Sequence, residues 1–493
     1  MTHDDDTTGS TGARWPRRAA LAVAVAFAFA LLGAVRLVVP AAPPSAPAVV
    51  RPLQPLIDAT PAGTTLRLSP GLYAGPAVIA KPMVLRGGGR ATIDGGGVGT
   101  VLAVEADGVT VSGLTLRGSG DRNDGIDAAL RLAGANGIVE DLMIEDCLYG
   151  IQLQQANGNI VRRNRITSKN LPEERRGDAI RLWYSTGNLV EANDIFRVRD
   201  GFAIHAPGNR LVGNTVADSR YGVQILQSTD IEIRANRFDG NAVGMMVVFS
   251  EDVAIEGNFI RSGRDIAGQG LVLKDASRVR VLSNDLVANS VAVYLDGSPG
   301  DPDDTNLFRA NRIAFSGTAV MLHSSLAGNL FEANAFTGNH GEVVVRGGGT
   351  ALKSVWRDNH WDAFEGFDRD GDGIGDTPFE VWAWADRLWM DLPDAQFFRA
   401  SPTLSLIDFA ERLTLAAEPR LILRDPKPRT AAAPPHASPT VGVADPKPTS
   451  SSAAMTTRSG GCCSPSDASA STAASMITRP AFTFANSATR TTG

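Results

Sequence analysis

The chain has 493 residues, a formal net charge of −6 and three cysteines. The nearly balanced charge, with no basic stripe, argues against nucleic acid as a partner, and three cysteines are too few for a disulfide framework. Length alone favours about three domains, but an internal repeat favours one elongated domain instead.

Residues 1–48 carry the features of an export signal. After three arginines between positions 14 and 18, an uncharged apolar run extends from Ala19 to Val35 and is followed by a small, Pro-rich stretch. Seventeen uncharged residues lie at the lower limit for spanning a bilayer. The sequence therefore predicts a periplasmic protein whose signal is either cleaved or kept as an inner-membrane anchor.

Residues 49–362 contain a repeated sequence pattern in which an asparagine is followed two positions later by an apolar residue. An opening segment, Leu53 to Gly99, precedes the repeats and begins with a candidate capping helix at Leu53 to Ala59. The repeats follow at spacings of 21 to 29 residues, a period typical of a solenoid. Their asparagines are Asn164, Asn193, Asn214, Asn236, Asn258, Asn284, Asn311, Asn334 and Asn359.

Within each repeat, polar and apolar residues alternate with a period of two, which indicates short strands separated by Gly, Asn and Asp turns. The sequence predicts an all-β fold, a right-handed parallel β-helix of roughly ten to twelve rungs with a C-terminal cap segment. An asparagine at one turn of each rung would form a hydrogen-bonded ladder, so these residues are predicted to be scaffold.

An acidic loop follows the last repeat. Asp368, Asp370, Asp372 and Asp376 occupy positions 1, 3, 5 and 9 of a calcium-binding pattern, and the carbonyl of Ile374 would add a ligand. Because Phe379 stands at position 12, the usual bidentate glutamate is missing. The sequence predicts a structural calcium site, with a metal-free acidic turn as the alternative.

Residues 363–429 are predicted to close the rod with this loop, an aromatic cap and a short helix from Pro402 to Leu413. The aromatic side chains would either pack on the rod or contact a membrane subunit. Residues 430–493 are rich in Ala, Ser, Thr and Pro and are predicted to be disordered. The candidate docking aromatics are Trp382, Trp384, Trp389, Phe397 and Phe398.

The outward-facing columns of the predicted strands carry few charges. Leu226, Met246, Val248 and Val272 form an apolar patch that is predicted to dock a protein partner. Two other interpretations are core residues misplaced by a register error and a copper site, because Met and His205 can bind copper. Asp178 and Asp200 are the best acidic pair, but we assign them to turns.

Three segments near and after the end of the predicted rod have distinctive sequences: Trp356-Arg-Asp-Asn-His-Trp-Asp362, Gly366-Phe-Asp-Arg-Asp-Gly-Asp-Gly-Ile-Gly-Asp-Thr-Pro378 and Leu421-Ile-Leu-Arg-Asp-Pro426. Together with the rung repeats, which are less specific, they resemble NosD-type periplasmic maturation proteins of nitrous oxide reductase. The resemblance covers about residues 50 to 429. One departure is Gln224-Ile-Leu226, where such proteins are expected to have a His-Tyr-Met type of strand, and it puts a copper-ligand role for this strand in doubt.

The resemblance implies an exported, non-catalytic accessory protein. Its partners would be an ABC-type transporter, with a membrane subunit and a cytoplasmic ATPase, and nitrous oxide reductase or its copper chaperone. Together they would assemble the copper-sulfur centre of the reductase. The rival hypothesis from the fold alone is a polysaccharide lyase, epimerase or hydrolase, which requires clustered carboxylates in a groove. A passive surface adhesin is a third.

Overall fold

The structure, a computed structural model, describes residues 50–262, 268–347, 349–383, 406 and 420–432. The predicted signal or anchor, the helix at 402–413 apart from Leu406, and the tail at 433–493 lie outside the described residues. So do Trp384, Trp389, Phe397 and Phe398. Within the described ranges no helix combines the length and apolar character needed to cross a membrane.

The described chain is almost entirely short strands. An α-helix, α1, spans Gln54–Ala59, a 3-10 turn spans Glu173–Arg175, and Leu406 is also helical. The first strands are β1 Arg51–Pro52, β2 Thr65–Arg67, β3 Gly71–Ala74, β4 Ala77–Ile79, β5 Val84–Asp94, β6 Leu102–Val104, β7 Thr110–Arg117, β8 Ala128–Leu132, β9 Ile138–Glu140, β10 Met143–Cys147, β11 Tyr149–Gln154, β12 Ile160–Arg162 and β13 Arg165–Ser168.

The middle of the rod repeats one set of three short strands. These are β14 Ile180–Trp183, β15 Leu189–Glu191, β16 Asp194–Phe196, β17 Asp200–His205, β18 Arg210–Val212, β19 Thr215–Ala217, β20 Tyr221–Leu226, β21 Thr229–Arg234, β22 Arg237–Asp239, β23 Val243–Val248, β24 Glu251–Glu256, β25 Phe259–Arg261, β26 Gln269–Lys274, β27 Arg280–Leu282 and β28 Asp285–Val287.

The pattern continues to the end of the rod and is followed by two strands that pair with each other. The last elements are β29 Val291–Asp296, β30 Asn306–Arg309, β31 Arg312–Ala314, β32 Thr318–His323, β33 Asn329–Glu332, β34 Ala335–Thr337, β35 Val343–Arg346, β36 Val355–Arg357, β37 His360–Trp361, β38 Phe379–Ala383 and β39 Arg420–Asp425.

All strands before β38 pair in parallel with the strand one rung away. They form a 25-stranded sheet, to which each complete rung gives two strands, and a 12-stranded sheet, to which each gives one. The column that runs from β2 through β5 to β36 contains 13 strands, so the rod has about thirteen rungs. The predicted parallel β-helix is confirmed. The rung number is slightly higher than predicted because the opening segment, which lacks the asparagine repeat, forms rungs of its own.

The asparagines form the predicted ladder along one corner of the rod. Each follows a residue with positive φ, such as Ala235 at 54°, where the chain turns sharply. The side chain then binds the backbone of neighbouring rungs. Asn236 Oδ1 accepts the backbone N–H of Asn214 at 2.8 Å, and Asn236 Nδ2 donates to the carbonyl of Leu211 at 2.9 Å. Buried turn groups are thereby satisfied inside the rod.

The C-terminal end of the rod is closed by stacked aromatic rings and a hairpin. Phe308, Phe331 and Trp356 stack at 4.5 and 4.0 Å between ring centres. Trp361 stacks on Phe379 of β38, which pairs antiparallel with β39. These rings fill the last rungs and cover the apolar interior.

The asparagine ladder ends on a different residue type. Asp425 Oδ2 of β39 accepts the backbone N–H and Nδ2 of Asn359 at 3.2 and 2.9 Å, and also Nε1 of Trp361 at 3.1 Å. An aspartate therefore occupies the final position of the ladder, contributed by a strand 66 residues further along the chain.

Candidate functional site

The outer face of the 12-stranded sheet carries an apolar and aromatic strip, which we call the docking stripe. Register aligns Trp183 with His205 and Leu226 with Val248, so one outward column follows β14, β17, β20 and β23. Tyr184 and Phe249 stand at the turns immediately after two of these strands. The docking stripe consists of Trp183, Tyr184, His205, Leu226, Met246 and Phe249.

The N-terminal end of the docking stripe is a cluster of rings. Trp183 stacks on His205 with 4.6 Å between ring centres, and Tyr184 meets each ring edge-on at 5.2 Å. The imidazole is fixed because its Nδ1 donates to the carbonyl of Leu226 at 3.1 Å. The guanidinium of Arg181 lies 4.7 Å from the Trp183 ring centre. These contacts hold the rings in one arrangement on an exposed face.

The structure corrects the predicted apolar patch at two residues. Leu226 and Met246 are half-buried on the outer face, but Val248 and Val272 are only 9% and 3% exposed. Val248 lies between Leu226 and Lys274, and Val272 lies between Met246 and Tyr294. Rungs are about 4.8 Å apart, so the longer neighbours cover the shorter valine side chains. These two valines do not offer the exposed surface that docking requires.

Four members of the docking stripe were missed as docking residues: Trp183, Tyr184, His205 and Phe249. Tyr184 is 57% exposed and Phe249 is 53% exposed, the largest apolar exposures on this face. Both have positive φ, of 48°, and stand one residue beyond the strand. The prediction followed only the alternation within strands. Including the residue that follows each strand would have placed Tyr184 and Phe249 on the same face as the outward column.

Charged residues limit the docking stripe on its C-terminal side. Lys274 Nζ donates to Asp296 Oδ2 at 2.8 Å, and Asp296 Oδ1 lies 2.9 Å from His323 Nδ1. The hydrogen bond from Lys274 holds the pKa of Asp296 below its usual value. The arrangement of an apolar centre beside a polar rim is typical of protein interfaces.

Asp178 and Asp200 are buried in ion pairs at a corner of the rod. Asp178 Oδ1 accepts from Arg199 NH2 at 2.8 Å, and Asp200 pairs with Arg220 at 2.6 Å. Burial raises the pKa of Asp178 to about 6, although Arg199 opposes the shift. Because both carboxylates are enclosed and occupied, they do not present an acid-base pair to an open groove.

The acidic loop brings together three of the five predicted calcium ligands. Carboxylate oxygens of Asp368, Asp370 and Asp372 lie within 4.8 Å of one another. They accept backbone N–H groups of the loop, including Gly371 to Asp368 at 2.7 Å. Asp376 instead accepts the N–H of Arg369 at 2.9 Å, and Ile374 forms an isolated bridge with Arg429.

Among the predicted cap aromatics, Trp382 lies within the described ranges. It is 38% exposed on β38, where its Nε1 donates to Glu380 Oε2 at 3.2 Å. Its ring is therefore partly available to a partner, and its docking role stays a prediction.

Comparisons with known proteins point to one family. Residues 165–366 match a family described as NosD, periplasmic copper-binding protein. A protein from Pseudomonas aeruginosa named "Probable ABC transporter binding protein NosD" is 27% identical over 374 residues, covering 70% of this chain and 83% of the relative. A protein of the same name from Stutzerimonas stutzeri is 25% identical, covering 70% and 82%.

Solved structures that resemble the chain are also β-helices. The A-module of the mannuronan C-5 epimerase AlgE6 from Azotobacter vinelandii matches with a TM-score of 0.43 and 17% identity, covering 61% of this chain and 93% of that structure. The family 28 exopolygalacturonase of Yersinia enterocolitica matches with a TM-score of 0.43 and 11% identity, covering 60% and 75%.

The two side chains of the docking stripe that could bind copper, His205 and Met246, are not register partners. His205 is the one histidine of the docking stripe, and Met246 lies in a different column two strands away. The grouping of three His, Cys, Asp or Glu side chains found in the described ranges is the aspartate cluster of the acidic loop. Carboxylates are hard ligands that suit calcium or magnesium better than copper(I).

The family match covers the docking stripe, and the two relatives align with 70% of the chain. Together with the fold, these findings support the resemblance of this parallel β-helix to the NosD family of periplasmic proteins.

Proposed function

We propose that this chain is an exported, non-catalytic accessory protein for the maturation of nitrous oxide reductase. It would dock the membrane subunit of an ABC-type transporter through the docking stripe and assist assembly of the copper-sulfur centre. The observation that carries the proposal is the exposed, ordered ring cluster on the rod, within residues 165–366 that match the family. The names of the two relatives support the transporter as partner.

The docking stripe has the composition of an interface centre. Tryptophan, tyrosine and arginine supply most hot-spot energy because they bury large areas at a low entropic cost. Here Trp183 and Arg181 are already held by neighbours, so little ordering would be needed on binding. A protein partner would cover Tyr184 and Phe249, whose rings otherwise remain in water.

The double variant Tyr184→Ala/Phe249→Ala should bind the membrane subunit of the transporter much more weakly than the wild type. Removing two exposed anchors should weaken binding about 1,000-fold, at about 2 kcal/mol per hot spot. The measurement is co-purification with the membrane subunit from detergent extracts, followed by titration of the purified components.

The matched control is Phe315→Ala, which removes a ring that is 63% exposed on the turn after β31, in the other sheet. It should bind normally. In cells, reductase made with the double variant should lack its four-copper centre while its other copper site remains filled. Normal co-purification of the folded double variant would contradict the docking proposal.

The glycan-enzyme alternative depends on carboxylates that converge on an open surface. In the described ranges its best pair, Asp178 and Asp200, is buried and bound by arginines. We therefore favour the accessory role, and turnover of uronate polymers by the purified chain would reverse this preference.

We also propose that the acidic loop binds calcium. Calcium should raise the melting temperature by about 2–4 °C at saturating concentration, because it binds the folded loop and not the unfolded chain. Titration calorimetry should give one site, and Asp370→Asn should remove both effects. Asp303→Asn, in an exposed loop remote in sequence, is the control. An unchanged calcium response in Asp370→Asn would show that the ion binds elsewhere.

A further inference from the structure

One outward column of the 25-stranded sheet contains stretches in which arginine and glutamate alternate, separated by the uncharged Val212 and Leu282. Pairing aligns Glu140 with Arg162 and Arg162 with Glu191, and further along the rod Arg309 with Glu332 and Glu332 with Arg357. The aligned pairs are in contact, for example Arg162 with Glu140 at 2.9 Å and Arg309 with Glu332 at 2.6 Å. The rule of this column is that an arginine faces a glutamate.

The first rungs of the same column break this rule. Arg67 aligns with Arg86, and Arg86 aligns with Ser112. Both arginines are exposed, and neither guanidinium has an ion pair or hydrogen bond within the described residues. Two like charges on directly paired positions, about 4.8 Å apart in backbone, repel each other. This is the position where the column lacks its anion.

A cavity of about 640 Å³ opens beside these arginines and Ser112. Glu140 and Asp141 also line the cavity, but each carboxylate is already paired with an arginine. Glu140 pairs with Arg162 at 2.9 Å, and Arg163 binds Asp141 at 2.8 Å. These two carboxylates therefore do not neutralise the positive charge of Arg67 and Arg86.

A glycine bulge shapes the floor of the cavity. Pairing between β5 and β7 skips from Arg86 and Ser112 to Ala91 and Leu114, so the residues at 87–90 face a single residue, Gly113. Gly113 has a φ of 64°, and a Cβ there would lie 3.1 and 3.2 Å from the backbone nitrogens of Gly89 and Gly88. The missing side chain leaves space directly against two amides. Successive amides in such turns are a common element of anion sites.

We propose that this cavity, the arginine cradle, binds a phosphate group. Arg67 and Arg86 would each donate to its oxygens, with the Ser112 hydroxyl and the glycine amides completing the set. A doubly charged tetrahedral oxyanion matches two unpaired guanidinium groups better than a monovalent ion does. The phosphate is either free in solution or part of a lipid headgroup, because the arginine cradle lies in the first rungs, close in sequence to the predicted anchor.

The test measures phosphate binding to the full chain. Inorganic phosphate, titrated at constant ionic strength against chloride, should raise the melting temperature and give a calorimetric isotherm. Arg67→Gln/Arg86→Gln should weaken binding about tenfold or more, since charge-assisted hydrogen bonds are lost. In phosphate-free buffer this variant should melt no lower than the wild type, because the repulsion between the two arginines is gone.

Arg90→Gln is the control, because Arg90 is exposed on the same bulge but does not line the cavity. It should bind phosphate like the wild type. A second arm uses vesicles of phosphatidylglycerol and phosphatidylcholine, compared between the wild type and the double variant. A difference confined to phosphatidylglycerol vesicles identifies the headgroup as the source, and binding of inorganic phosphate alone identifies free phosphate. If the double variant matches the wild type in both arms, the proposal is overturned.

Discussion

Replacing Asn236 by alanine should lower the free energy of unfolding by about 3–5 kcal/mol, although the substitution removes only a small polar side chain. Asn236 is fully buried, and its Oδ1 accepts two N–H groups of Asn214 at 2.8 and 2.9 Å. Its Nδ2 donates to Leu211 and Asn258 at 2.9 and 3.1 Å. Alanine leaves these buried partners without hydrogen bonds, and their desolvation is no longer offset.

The measurement is urea denaturation followed by circular dichroism, with the change read from the midpoint and slope. Asn170→Ala is the control, because Asn170 is exposed and accepts one hydrogen bond, from Arg197 at 3.3 Å. That change should cost less than about 0.5 kcal/mol. Equal losses for the two variants would show that the asparagine ladder contributes no more than a surface contact.

Replacing Phe331 by alanine should have an effect of similar size at the C-terminal end of the rod. The ring is fully buried between Phe308, at 4.5 Å, and Trp356, at 4.0 Å, and it is nearly parallel to both. Truncation leaves a cavity and removes both stacking contacts, which should cost about 3–5 kcal/mol. The loss should appear in the same denaturation experiment.

Hydrogen exchange should show which rungs lose stability in Phe331→Ala. Rungs in a solenoid contact only their neighbours, so protection should fall first in β33 and β36 and much less around Asn214. The control is Phe315→Ala, whose ring is exposed. If Phe331→Ala lowers protection evenly along the rod, the rungs fold as one unit.

The repeat was sufficient to predict the parallel β-helix and the role of its asparagines. A period of about 22 residues with one buried amide in each turn is determined by local sequence. The register between strands could also be predicted, because residues at equivalent positions of successive repeats are the residues that pair in the structure, such as Trp183 and His205. In a solenoid the sequence repeat determines which residues pair, because each rung has the same backbone path as the rung before it.

Exposure within the outward columns could not be predicted in the same way. Whether Val248 is covered depends on the lengths of Leu226 and Lys274 above and below it, and not on its own alternation. The exposed Tyr184 and Phe249 lie beyond the strands, at residues with positive φ, where a period of two no longer applies. Arg67 and Arg86 lie in the opening segment, which lacks the asparagine repeat, so the repeat could not predict that they pair with each other and with Ser112.

The aspartate that ends the asparagine ladder also bears on how the length of such a protein can evolve. Every asparagine of the ladder from Asn193 to Asn334 donates to the next and accepts from the one before, so whole rungs can be duplicated or lost without leaving a donor unmatched. Asp425 can only accept, and so it closes the series. We expect rung number to vary among relatives in the middle of the rod, while the aspartate of the terminal strand is kept.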